Sequence, residues 1–190
     1  MSQERKKRDP LTPGCIIYSV GSCGDFSFEE GLQNLLGKDT CEIHIFDMGD
    51  YGAGMPKNMN MHYHKWGIAR ETLVDTKGLV FKSFKQTLKD LGHLHLPAID
   101  IFKIDCEGCE YNTHVDWIDD STPMLQQILI EVHGFVKNAG SGATSKFFDS
   151  MKDAGYVTFS KEHNTQVRDL SAYEYSFLKL SNDFFGSVEK

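Results

Sequence analysis

Four side chains able to move a proton or hold a cation stand at the ends of two apolar runs. Asp105 and Glu107 follow IDIFKI (residues 99–104), while Glu131 and His133 close QILIEVH (residues 127–133). Carboxylates and an imidazole gathered at a cleft can orient or take up a proton near neutral pH. Gly108 beside them allows close backbone approach. A second grouping lies near the start. The run CIIYSV (residues 15–20) is broken by Gly21-Ser22-Cys23-Gly24-Asp25, and a later run, IHIFDM, carries Asp47 and Met48. Glycines let backbone approach a ligand that side chains would exclude. Asp47 stands 23 residues after Gly24, near the spacing at which an acid accepts hydrogen bonds from ribose hydroxyls.

These groups need a scaffold that brings strand ends together. Apolar runs without clean alternation, separated by helical patterns, read as strands buried on both faces of a parallel sheet. Open sheets of this kind bind ligands beyond the carboxyl ends of their strands. The spacing predicts strands at 15–20, 43–48, 62–69, 99–104 and 127–132. It predicts helices through Phe28, Leu32, Leu35 and Leu36, through Phe81, Phe84, Leu88 and Leu91, and through Phe147, Met151 and Ala154. Residues 111–118 read as a short helical connection. Ser27 and Glu30 have the spacing of a capping box, and Gly37 suits the end of that helix. Residues 156–159 and 173–180 pair naturally as a terminal antiparallel hairpin. A polar arm covers residues 1–14 and a single domain covers 15–185. Gly49 to Asn60 forms a turn-rich loop placed to fold over a nucleoside, and glycine-rich Gly134 to Thr144 sits where a loop would face substrate.

Composition narrows the function classes. A net charge of −7 argues against a nucleic-acid partner, which needs a concentrated basic surface. The run Arg5-Lys6-Lys7-Arg8 reads as a solvated arm. No apolar stretch approaches the roughly 18 residues of a membrane span, and no signal peptide is evident. Five irregularly spaced cysteines suggest reduced thiols in a cytoplasmic setting. Cys106 and Cys109 form a CxxC without a companion pair and read as packing thiols. His62 and His64 share a strand face, and without a third ligand they read as an exposed face rather than a metal site. The first strand begins some 14 residues into the chain, which is compatible with a piece of a longer protein.

Together, CIIYSVGSCGDFSFEEGL, CEIHIFDM, HYHKWGIA, FKIDCEGCEY and ILIEVHG resemble the S-adenosylmethionine-dependent methyltransferases of the FkbM type and the related methyltransferase-like domain family. The resemblance runs from Cys15 to His133, and KIDCEGCEY is its most specific piece. It implies a Rossmann-like α/β fold with a seven-stranded, mostly parallel sheet, helices on both faces and a C-terminal antiparallel hairpin. It implies that Gly21, Ser22, Gly24 and Asp25 surround the methionine part of S-adenosyl-L-methionine. By the same resemblance Asp47 holds the ribose, Met48 lies beside the adenine, and Gly67 and Ile68 lie near the adenine edge. Asp105 lies below the sulfonium. The departure is Ser22-Cys23, where many relatives have a small residue followed by Asn.

The expected activity is O-methylation of a hydroxyl on a small molecule or sugar. His133 or Glu107 serves as base and Asp105 orients; a variant places a divalent cation between Asp105 and Glu131. Two other classes compete. A nicotinamide-dependent oxidoreductase is disfavoured because Phe26 occupies the third glycine position of a dinucleotide turn. The other is a non-catalytic module that binds a nucleoside or a partner on the same fold. The oligomeric state is not legible.

Overall fold

The computed structural model describes residues 14–38, 40–134, 142–165, 172–181 and 184. The basic arm and most of the glycine-rich loop near residue 138 lie outside these residues. β1 (Cys15–Val20) is buried on both faces, as its unbroken apolar run requires. Even-numbered side chains Ile16, Tyr18 and Val20 join one apolar cluster, and Ile17 joins a second on the opposite face. β2 (Cys41–Phe46) pairs parallel with β1, and β3 (Met61–His64) pairs parallel with β2. On the other side of β1 come β7 (Ala98–Ile104) and β8 (Met124–His133), both parallel. β10 (Ala172–Lys179) is antiparallel to β8 and to β9 (Tyr156–His163). The resulting order is β3-β2-β1-β7-β8-β10-β9, a seven-stranded sheet.

Helices cover both faces, which explains why the central strands lack alternation. α1 (Ser27–Leu36) lies on one side, where Leu32 packs against the cluster of Ile17, Ile43 and Ile45. α2 (Phe84–Asp90), α3 (Glu110–Trp117) and α4 (Ala143–Asp153) send Phe84, Trp117 and Phe147 into the other cluster.

Five local expectations need correction. Ser27 does not cap α1; it is the first helical residue, and Asp25 Oδ1 accepts from its backbone N–H at 2.9 Å. Asp25 stands two residues before Ser27, where its carboxylate meets the first amide of the helix. The strand expected over 62–69 is two strands. Trp66 N–H donates back to the His64 carbonyl at 2.9 Å, and the indole settles on Phe46 and under Lys82. The chain then enters a separate three-stranded sheet of β4 (Gly67–Ile68), β5 (Leu73–Val74) and β6 (Val80–Lys82). Phe81 belongs to β6, and α2 starts later, with Ser83 Oγ accepting from Gln86 N–H. His64 is not on a free face either: its Nε2 hydrogen-bonds Nδ1 of buried His44 at 2.9 Å, and burial lowers both pKa values.

The fifth concerns the thiols. Cys15 bonds to Cys41 and Cys106 bonds to Cys109, leaving Cys23 as the free cysteine. Cys15 and Cys41 face each other in parallel register with Cα atoms 4.5 Å apart, a pairing that linear spacing does not reveal. The expectation of reduced thiols is thereby corrected for four of the five cysteines. Closing a segment of 26 residues restricts the unfolded chain by roughly 3 kcal/mol in the loop-entropy picture. Cys15→Ser is therefore expected to lower the unfolding free energy by about that amount in urea titration, and an unchanged midpoint would refute the bond. No helix among the described residues is long and apolar enough to cross a membrane.

Candidate active site

Parallel register places three chain exits side by side. Val20 pairs with Phe46 and with Ile104, so Gly21, Asp47 and Asp105 follow at the same level of the sheet. Gly21 N–H donates to the Phe46 carbonyl at 2.9 Å, and Asp105 N–H donates to the Val20 carbonyl at 3.0 Å. Gly21 has φ +82°, and a Cβ there would overlap the backbone carbonyl of Asp105. Only glycine meets both demands.

Asp47 ties two loops to this rim. Its Oδ2 accepts from Cys23 N–H at 2.8 Å and its Oδ1 from Gly49 N–H at 2.8 Å, while the residue is buried. Each oxygen keeps a second lone pair for a ligand hydroxyl. Beyond the rim opens a cavity of about 400 Å³. Gly21, Asp47, Met48, Gly67, Ile68, Asp105 and Glu107 are among its walls, so four expected segments converge. The β3–β4 break matters here, since it carries Gly67 over the cavity. A Cβ on Gly67 would stand 2.9 Å from the Phe81 ring.

Three expected contacts are not walls of this cavity. Ser22 is buried beneath the turn, its Oγ 3.4 Å from Gly24 N–H. Gly24, at φ +83°, backs onto the Tyr51 ring, and Asp25 engages α1. Several walls were not foreseen in this role. Tyr51 comes from the loop expected to fold over a ligand, and Cys23 Sγ lies 3.6 Å from its hydroxyl. Phe81 lies on β6 rather than in the expected helix, and Cys106 and Cys109, expected to be packing groups, border the cavity. The signal for the cysteines was their position immediately after the strand end.

On the other side of Asp105 a second cleft of about 300 Å³ is lined by Phe28, Lys103, Glu162, Glu174 and Tyr175. Asp105 is a wall of both cavities. Register explains the acids. Ile104 pairs with Ile130, Glu131 with Glu174, and Glu174 with Glu162, so carboxylates step across four neighbouring strands. Burial pushes the Glu131 carboxyl above its ordinary value; the Asn164 amide, donating to Oε1 at 2.7 Å, opposes this, and Asp105 adds to the rise. Burial raises Glu174 as well, with Asp105 again contributing.

His133 is held differently. Buried Glu110, in the first turn of α3, accepts from His133 backbone N–H at 3.1 Å and approaches its Nδ1 at 3.3 Å through the same oxygen. The exposed Glu107 carboxylate stands 3.5 Å from Nε2. The Glu110 hydrogen bond, set against burial and helped by the charges of Glu110, Glu131 and Glu107, pushes His133 up to about 9. The ring is therefore an imidazolium at neutral pH. Asp105, Glu131 and His133 offer ligand atoms within 4.8 Å of one another, and a cation held there would take the place of the His133 proton.

A family model described as "Methyltransferase domain" matches residues 4–179. The human protein named "Probable methyltransferase-like protein 24" is 25% identical over 91% of this chain, which spans 47% of that protein's length. Among solved structures, the fibrillarin pre-rRNA processing protein of Methanococcus jannaschii superposes with a TM-score of 0.58 at 8% identity, covering 89% of this chain and 69% of that one. Methyltransferase FkbM from Methylobacillus flagellatus KT gives 0.54 at 14% identity, covering 90% and 46%. Aeropyrum pernix fibrillarin, solved with natively bound S-adenosyl-L-methionine, gives 0.55 at 11% identity, covering 90% and 69%. These structural likenesses carry the fold; the family model, matching most of the chain, places this protein in the methyltransferase-domain family.

Proposed function

We propose that the chain transfers a methyl group from S-adenosyl-L-methionine to a hydroxyl of a small, polyhydroxylated acceptor such as a sugar. The observation that carries this is the position of Asp105 as a shared wall of two cavities. The larger cavity suits the donor. The glycine-bearing turn admits backbone approach, Asp47 offers lone pairs to ribose hydroxyls, and Met48, Gly67 and Ile68 give an apolar slot for a flat base. The donor supplies a methyl group activated on a sulfonium.

The protein's share is alignment, charge and proton handling. The smaller cleft presents Glu162, Glu174 and Asp105 to acceptor hydroxyls, with Phe28 and Tyr175 as apolar surfaces. Carboxylates accept hydrogen bonds from hydroxyls, whereas phosphate-rich RNA would meet like charge there. His133 already carries its proton, so the base is a carboxylate. Asp105 orients the acceptor hydroxyl and, with Glu131 beside it, takes up the proton. Before transfer the His133 cation favours the ionised form of these acids, and Glu107 borders the donor cavity beside it.

Calorimetry with S-adenosyl-L-methionine and with NAD tests the donor assignment. Binding of the first and not the second is expected; the reverse would establish the dinucleotide reading instead. Release of labelled methyl onto a pool of sugars and polyols tests transfer, and labelling of RNA alone would overturn the acceptor class. Asp105→Asn is expected to lower kcat by roughly 10²–10⁴ while changing donor affinity less than about tenfold. Wild-type turnover by that variant would remove Asp105 from the mechanism.

A further inference from the structure

Both sulfurs of the Cys106–Cys109 disulfide belong to residues that wall the larger cavity, and neither residue is fully buried. The bond closes a two-residue loop, Glu107 and Gly108, whose φ angles are +55° and +104°. A left-handed glutamate is an unfavoured conformation that its surroundings must hold in place. Here the held segment joins the carboxyl end of β7 to the first turn of α3. Asp105, immediately before it, supplies the carbonyl against which Gly21 packs. Glu107, within it, pairs with His133. The covalent link therefore spans both the left-handed loop and one wall of the cavity.

The link is also placed to exchange. Cys109 is the residue preceding α3, with Thr113 N–H bonded back to its carbonyl, so the CxxC sits on a helix N-terminus. The helix N-terminus favours a thiolate at Cys109, whereas the Glu110 carboxylate 3.5 Å from Cys106 Sγ disfavours one there, so Cys109 is the better leaving group. The other disulfide differs in access, because Cys41 is only 2% exposed inside the sheet. We propose that Cys106–Cys109 is a thiol–disulfide exchange site for a low-molecular-weight thiol such as glutathione, and that its reduction opens the 105–109 loop and weakens donor binding. The donor part of this inference rests on the reading of the larger cavity as the S-adenosyl-L-methionine site.

The chemistry balances with two equivalents of thiol. A glutathione thiolate attacks one sulfur, forming a mixed disulfide and releasing the other cysteine as a thiolate. A second glutathione thiolate then attacks the glutathione sulfur of that mixed disulfide and displaces the protein cysteine, leaving two protein cysteines, protonated from solvent, and oxidised glutathione. Released from the bond, Glu107 relaxes out of the left-handed region, and the wall formed by Cys106 and Glu107 moves.

The test equilibrates the full chain with graded ratios of reduced to oxidised glutathione, alkylates the free thiols and maps them by peptide mass. The same samples are titrated with S-adenosylhomocysteine. Cys106 and Cys109 are expected to label together at ratios that leave Cys15 and Cys41 protected. Affinity for S-adenosylhomocysteine should fall at least tenfold over the same range and return on reoxidation. A Cys106→Ser, Cys109→Ser variant should bind like the reduced protein and ignore glutathione. Labelling of Cys15 and Cys41 first, or equal affinity in both redox states, would overturn the proposal. If S-adenosylhomocysteine binds neither state, the donor assignment fails and the labelling order still decides the exchange site.

Discussion

A Gly21→Ala variant is expected to lose donor binding by at least about 100-fold, the equivalent of roughly 2.7 kcal/mol. It should also lose about 2–4 kcal/mol of stability. Two separate penalties meet at this position. The backbone has φ +82°, which L-residues with a Cβ rarely adopt, and the added methyl would fall on the Asp105 carbonyl rather than on a flexible side chain. Backbone cannot step aside there, because Asp105 N–H is bonded to Val20 and Gly21 N–H to Phe46. Relief must come from shifting the β1 or β7 exit, and both exits border the larger cavity. Gly92→Ala separates the two penalties. Gly92 also has positive φ, +71°, but nothing lies within 4 Å of its Cβ position, so only the conformational cost of about 1 kcal/mol applies. Calorimetry with S-adenosylhomocysteine and urea unfolding read both effects. Near-native donor affinity in Gly21→Ala would mean that the β1 exit does not shape the donor site.

What could be read in advance follows the range of the physics. β1 and β7 announce themselves because strands covered on both faces need unbroken apolar runs, and their exits carry Gly21 and Asp105 wherever the chain goes next. Asp47 was legible for the same reason, being the first polar residue after β2. Which side chain of a turn faces a ligand depends on backbone angles that composition does not encode. Ser22 folds inward and Asp25 turns to α1, although both share the turn with Gly21. The break at Trp66 escaped notice because HYHKWGIA keeps strand-like composition across it; indole packing on Phe46 and Lys82 decides the bend. Cys15 and Cys41 could be joined only once strand order was known. Glu110 was visible merely as an acid in KIDCEGCEY. Its role required knowing that α3 returns it to the end of β8.

That return makes Glu110 the second position of large effect. Its side chain is fully buried, and one oxygen serves both the backbone N–H and the ring of His133. Removing one member of a buried ion pair leaves the other charge unpaired, so Glu110→Ala is expected to cost about 3–5 kcal/mol. The pH dependence distinguishes this pair from simple packing. His133 is raised from 6.5 to about 9 in the folded protein, with Glu110, Glu131 and Glu107 facing it and Asp105 and Glu174 nearby. A group with a raised folded pKa stabilises the fold fully below its unfolded value and stops doing so above its folded one. The unfolding free energy should therefore decline between about pH 6.5 and 9, by at most roughly 3 kcal/mol from this group. In Glu110→Gln the amide oxygen can still accept, but the negative charge is gone. His133 should titrate closer to its ordinary value, and the decline should shrink and move to lower pH. Urea midpoints across pH 6–10, read beside the His133 ring signal in NMR, check both. A stability that is flat or rising over that window would show that His133 is not held as a cation. The proton would then be free to leave it, and His133 would return as the candidate base beside Asp105.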